Sequence, residues 1–294
     1  MDAFSTENWK NSASHRKLLM TWQSDHSPNL ASDRFFVWES ASWRPRFGES
    51  ASDRRAISKK TTNREFSIGG HNISKCEMVT DLGVRITSNL KWSAHVAYIK
   101  SKGNTRCYQI LNSFRTKNIW TYVKAYTTFV LPILETNSVI WSPYLIQDIK
   151  NIESTQKRYI KSICRRCNIH KGSYRDRLNA LNMRTLEYRR HKQDMLMVFK
   201  IINRLVDIEF NDFFSFCLPP YQLRRHRFCL NRNICKSDIS KNFFFNRIIK
   251  TWNSLPDSVV ESPSIEIFRK RLSQFDLRTV CKMVYWSWFY VLCI

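Results

Sequence analysis

Apolar side chains are scattered without a sustained period over residues 1–65, then fall into regular spacing from Glu77 onward. Met78 to Ile86, with Gly83 inside it, reads as a short strand or extended segment entering a turn at Ser88-Asn89. Ser93 is placed to cap a long helix. Val96, Ile99, Gly103, Cys107, Ile110 and Phe114 come after it at steps of three and four, which line one helical face. A second helix is predicted from Ile119 to Leu131. Pro132 kinks it rather than ending it, because Ile133, Leu134, Val139 and Ile140 continue the apolar character.

Ser142-Pro143 breaks that element, and the next helix runs from Ile146 to Cys164 with Ile149, Ile152, Tyr159, Ile160 and Ile163 inward. Arg184 to Leu205 forms a further helix whose second half buries Met195, Val198, Phe199 and Ile202. Beyond Pro219-Pro220 the pattern loosens, and residues 221–240 are either short paired strands or loop. Phe243 to Trp252 and Ile265 to Leu272 close the pattern as two helices, Pro256 stopping the first with Trp252 inward and Asn253 near its C-cap. The fold class is therefore mostly α: a multi-helix assembly with a few short strands behind a disordered N-terminal segment. Three stretches are distinguished: a low-complexity segment 1–70, a helical region 78–277, and an aromatic tail 278–294 too short to span a bilayer, which needs about 20 residues.

Charge sharpens this division. The 294 residues carry 48 Lys and Arg against 24 Asp and Glu, a formal net charge of +24. Residues 1–70 hold 11 basic and 8 acidic side chains, whereas residues 71–277 hold 35 basic and 16 acidic. A compact region so unbalanced repels itself unless polyanions are near, which makes nucleic acid the expected partner and an anionic membrane surface the lesser one. Nine cysteines at irregular spacing, and an N-terminus (MDAFSTENWK) without an apolar run of secretory length, place the chain in a reducing, intracellular compartment, cytoplasmic or nuclear.

Three blocks in order carry a family resemblance. They are YTTFVLPILETNSVIWSPY from Tyr126 to Tyr144, with IESTQKR soon after it; YRDRLNALNMRTLEYRRHKQDMLMVFKIIN from Tyr174 to Asn203; and KNFFFNRIIKTWNSLPDSVV from Lys241 to Val260. Together they resemble the region beyond the polymerase palm, the thumb and C-terminal region, in reverse transcriptases of non-LTR retrotransposons of the jockey-like group. The resemblance begins near Asp81-Leu82-Gly83-Val84 and ends near Phe275. It implies a C-terminal fragment of an RNA-directed DNA polymerase whose helices grip an RNA or RNA/DNA template–primer. The intact family enzyme uses Mg²⁺, held partly by an adjacent Asp pair. No Asp-Asp dipeptide occurs in this sequence, so the chain is expected to have no polymerase activity, no small-molecule substrate and no cofactor of its own. A stand-alone basic RNA/DNA-binding module and an inert pseudogene product are the alternatives.

Asp81, Glu135 and Asp194 are read as structural carboxylates. Cys164 and Cys167 with His170 offer half of a tetrahedral zinc site, but Cys229, Cys235 and His226 complete it poorly, and no metal site is assigned. Binding is instead placed on three basic clusters: Lys157, Arg158, Arg165 and Arg166; Arg184, Arg189, Arg190 and Lys192; and Arg224, Arg225 and Arg227 beside His226. Each phosphate neutralised by such a cluster releases counterions, which gives salt-sensitive affinity without sequence preference.

Overall fold

The structure, a computed structural model, describes residues 76–169, 172–217, 226–235, 237–275 and 277, together with the backbone of short strands within residues 20–75. The chain divides into two units, Met1–Leu90 and Lys91–Ile294.

In the first unit β1 (Met20–Gln23), β2 (Phe35–Trp38), β3 (Arg55–Ile57), β4 (Phe66–Ile68) and β5 (His71–Lys75) form a sheet in the order β1-β2-β3-β5-β4. All pairs are antiparallel except β3–β5. Four of these strands fall inside residues 1–70, where the sequence predicts disorder; the rest of that stretch lies outside the described residues. Met78 to Ile86 is not one strand but a hairpin of β6 (Met78–Asp81) and β7 (Val84–Thr87). Asp81 pairs with Val84, so the loop is Leu82-Gly83, and both residues have positive φ, 45° and 82°. That is the pattern of a type I′ turn, whose twist matches the strands and which favours glycine. The predicted bend at Ser88-Asn89 is a second turn, closed by Leu90 N–H on the Thr87 carbonyl at 2.8 Å.

The second unit is helical. Its first layer comprises α1 (Ser93–Ser113), α2 (Ile119–Phe129), α3 (Leu131–Glu135), α4 (Ser138–Trp141), α5 (Ile146–Arg166) and α6 (Tyr174–Ala180). The predicted face of α1 is buried from Val96 to Ile110, while Phe114 lies past the helix end and is exposed. Ser93 does not cap α1; its hydroxyl donates to buried Asp148 in the first turn of α5, 2.7 Å away. α1 and α5 run parallel, since Lys100 reaches Asn151, Thr155 reaches Asn104, and Arg166 reaches the last carbonyls of α1. Gly103 sits where α3 and α5 meet α1: a Cβ there would stand 2.9 Å from a Leu134 methyl carbon and 3.4 Å from one of Thr155. Pro132 kinks the chain as expected, with Val130 retaining right-handed helical geometry between α2 and α3. Asn137, at φ 57°, then interrupts the helix before α4, a break the apolar pattern does not reveal.

α7 (Leu186–Ile202) joins this layer to a second core. Its apolar half, Met195, Val198 and Phe199, packs with α10 (Phe244–Arg247), α11 (Ile249–Trp252), α12 (Asp257–Val260) and α13 (Ile265–Gln274) around Trp252, Phe268 and Leu272. Phe199 stacks on Phe268 with centroids 4.3 Å apart. Full burial of each such side chain is worth about 1.5–3 kcal/mol. Two short helices, α8 (Phe210–Phe213) and α9 (Asp238–Asn242), flank it. The single helix predicted over Phe243 to Trp252 is divided at Ile248 into α10 and α11. Of residues 221–240, the described part is loop apart from α9 and a bridge between Phe216 and Leu230. Asn253 holds that loop from both sides, accepting from Leu230 N–H at 2.9 Å and donating to its carbonyl at 2.8 Å. The fold is mostly α, as the pattern predicts. No helix among the described residues is long and apolar enough to cross a membrane.

Candidate nucleic-acid interface

The amphipathic pattern of α5 fixes where its charges lie. With Ile149, Ile152, Tyr159, Ile160 and Ile163 buried, the helical period turns Lys157, Arg158, Lys161 and Arg165 outward as one stripe, with half-buried Lys150 at its start. At 1.5 Å per residue, Lys150 to Arg165 spans about 22 Å, enough to track several backbone phosphates. Both carboxylates of α5, Asp148 and Glu153, are buried. The stripe is also anchored. Arg158 donates to Asn104 Oδ1 at 3.0 Å, and Lys100 on α1 donates to Asn151 at 2.8 Å. No acidic residue occurs between Lys91 and Leu134, so Lys100, Lys102, Arg106 and Lys124 on α1 and α2 have no acidic neighbour in sequence. These cations and Lys161 stand outside the clusters chosen from sequence. The signal that finds them is the missing acid, not a run of bases.

The other predicted residues disperse. Arg166 turns into the protein, where its guanidinium hydrogen-bonds the carbonyls of Leu111 and Phe114 and, at 3.3 Å, the Tyr122 hydroxyl. It caps the C-terminus of α1, where a cation complements the helix dipole, and is not a free phosphate contact. Arg189 is held by Glu135 in a two-point ion pair, its Nη2 reaching Oε2 at 2.9 Å. Arg190 is only 2% exposed. Burial pushes its guanidinium below the ordinary arginine range, while Glu153, Glu187, Glu135 and Asp194 pull it back. At about 100° per residue Arg189 and Lys192 share an outer face, while Arg190 lies about 160° round the helix from Lys192 and is buried, so the four basic residues predicted as one cluster do not form a single patch. Arg184 and Lys192 retain surface access: Arg184 is exposed above the Tyr188 ring, and Lys192 donates to Ser273 Oγ at 2.7 Å. Arg227 is exposed, paired with Glu261 at 3.0 Å and seated over Phe228. Arg224 and Arg225 lie outside the described residues.

Several carboxylates of the helical unit are buried among polar partners. Glu153 is fully buried, accepting from the Tyr174 hydroxyl at 2.7 Å and from Leu186 N–H at 3.0 Å. Burial pushes it up to about 7, against the pull of these hydrogen bonds and of Arg190. Asp194 receives two bonds from Arg247, at 2.8 and 3.0 Å, and Arg247 also donates to the Val139 carbonyl. Asp81 stands at the hairpin turn, and Glu135 and Asp194 serve ion pairs. Burial raises the Cys164 and Cys167 thiols, which disfavours the thiolate a metal needs, and His170 lies outside the described residues. Cys229 faces Cys217, sulfur to sulfur 3.1 Å, rather than Cys235. Among the described residues no three His, Cys, Asp or Glu side chains converge as metal ligands.

No protein-family model matches the chain, and no solved structure matches it. Over 125 residues the chain is 29% identical to an uncharacterized protein of Caenorhabditis elegans, a match covering 42% of this chain. The chain spans 63% of that protein's length, and the likeness carries no stated activity with it.

Proposed function

We propose that this chain binds the sugar–phosphate backbone of RNA or an RNA/DNA duplex through the α5 stripe, as the helical support of a non-LTR retrotransposon reverse transcriptase would. The observation that carries the reading is the sorting of charge by side. Lys157, Arg158, Lys161 and Arg165 face outward on α5, while its acids Asp148 and Glu153 are buried. An ordinary solvated helix face mixes signs, whereas a face of one sign attracts a polyanion. The resemblance of the three sequence blocks supports the reverse-transcriptase reading, and no adjacent Asp pair is present to hold two Mg²⁺ ions for nucleotidyl transfer. The chain then grips template and primer without joining nucleotides, and any activity of an intact enzyme belongs to other sequence.

Filter binding of the full chain to a hairpin RNA over a range of salt tests this. Replacing Lys157, Arg158, Lys161 and Arg165 by Gln is expected to flatten the slope of log K against log salt by about 3, at roughly 0.7–0.9 per lost phosphate contact. No binding at low salt, or an unchanged slope, would overturn the proposal.

A further inference from the structure

A small concavity lies between α6, the start of α7 and the end of α13, with a volume of about 100 Å³. Arg175, Arg184, Tyr188, Ser273 and Gln274 line it together with apolar side chains such as Phe275, and none of the described lining residues is acidic. We propose that this concavity seats one terminal phosphate monoester of a nucleic-acid strand. The inference rests on the nucleic-acid reading above and adds to it a contact specific for strand ends.

Charge and size select the ligand. Lys192 stands behind the lining residue Ser273, whose hydroxyl accepts from the Lys192 ammonium at 2.7 Å and donates to the Arg269 carbonyl at 2.6 Å. Burial and the nearby Arg189, Arg269 and Arg184 hold Lys192 below the ordinary lysine range. Cations crowded closely enough to oppose one another's charge gain most from a shared anion. Arg189 is already matched by Glu135, and Glu266 stands one turn from Arg269 on the exposed side of α13; Arg184 and Lys192 remain. A backbone diester offers a single negative charge and must continue on both sides. A terminal monoester carries about −1.5 to −2 near neutral pH, with three acceptor oxygens for guanidinium and ammonium donors. The volume falls well below the roughly 300–1,000 Å³ typical of small-molecule pockets, so it suits a phosphate group and not a whole nucleotide.

The test titrates the full chain with one hairpin RNA carrying a 5′-phosphate, a 3′-phosphate or hydroxyls at both ends, at constant salt. One phosphorylated form is expected to bind at least about five-fold more tightly than the hydroxyl form. Arg184→Gln and Lys192→Gln should each abolish that preference, so that each variant binds all three hairpins alike within about two-fold. Arg184 is exposed, so its variant keeps the fold and carries the test should Lys192→Gln destabilise the chain. Equal affinity for all three hairpins, or a preference that survives both variants, overturns the phosphate seat and leaves the α5 interface standing. Failure to bind any hairpin overturns both.

Discussion

Replacing Arg190 by Leu would leave Glu153 and Glu187 buried without the guanidinium that attracts them, while Asp194 keeps its two bonds from Arg247. Removing one partner from a buried ionic group costs about 3–5 kcal/mol, whereas an exposed substitution such as Lys161→Gln changes stability by within about 0.5 kcal/mol. Chemical denaturation of the two variants should separate them by that margin; equal midpoints would show that Arg190 does not balance the cluster. Glu153 gives a pH signature. Its carboxyl rises from 4.5 to about 7 on folding, so the native state binds more protons than the unfolded chain between those values. Stability from this group is therefore full at low pH and is lost as pH rises through about 7. The difference in unfolding free energy between wild type and Glu153→Gln should shrink over that window, by at most about 1.4 kcal/mol per pH unit. A constant difference would place Glu153 as a carboxylate throughout. Subtracting the variant matters, because His191, held down to about 4 by burial and by Arg190 and Arg247, slopes the opposite way.

At the scale of elements, Gly103 is where α1 packs against Leu134 of α3 and Thr155 of α5. Gly103→Val would force its side chain against Leu134, which is fully buried. Overpacking of this kind costs about 1–3 kcal/mol, and a lowered denaturation midpoint with unchanged slope is the expected result. The sequence places Gly103 on the inward face because the helical period is local, and for the same reason the inward faces of α1 and α5 were legible. The partners were not. Glu135 meets Arg189 across 54 positions, Asp194 meets Arg247 across 53, and Arg166 closes a helix that ended more than 50 residues earlier. Neither period nor propensity carries information over such distances, so a run of bases on α7 reads as one patch when it is an ion pair, a buried cation and a surface amine. The α5 stripe was half legible, because its apolar side determines its charged side. Asn253 shows the same limit: its place at a helix end comes from Pro256, but its two bonds to Leu230 come only from the fold.

For the whole molecule, the balance of +24 is a sum over groups that folding separates. In the helical unit Asp148, Glu153, Glu187 and Asp194 are all buried, while most of the stripe cations stay outside. Among the described residues these four acids are withdrawn against one equally buried cation, Arg190, so the native surface is more basic than the composition states, and unfolding returns those carboxylates to the solvent beside the lysines. A polyanion meets a denser positive field on the folded chain than on the unfolded one. If the proposed binding holds, the polyanion would favour the native state and add a stabilisation of RT ln(1 + [L]/Kd). The burial of four acids, which began as a detail of packing, would then make the proposed partner a folding ligand as well: what the stripe would hold would also help keep the stripe in shape.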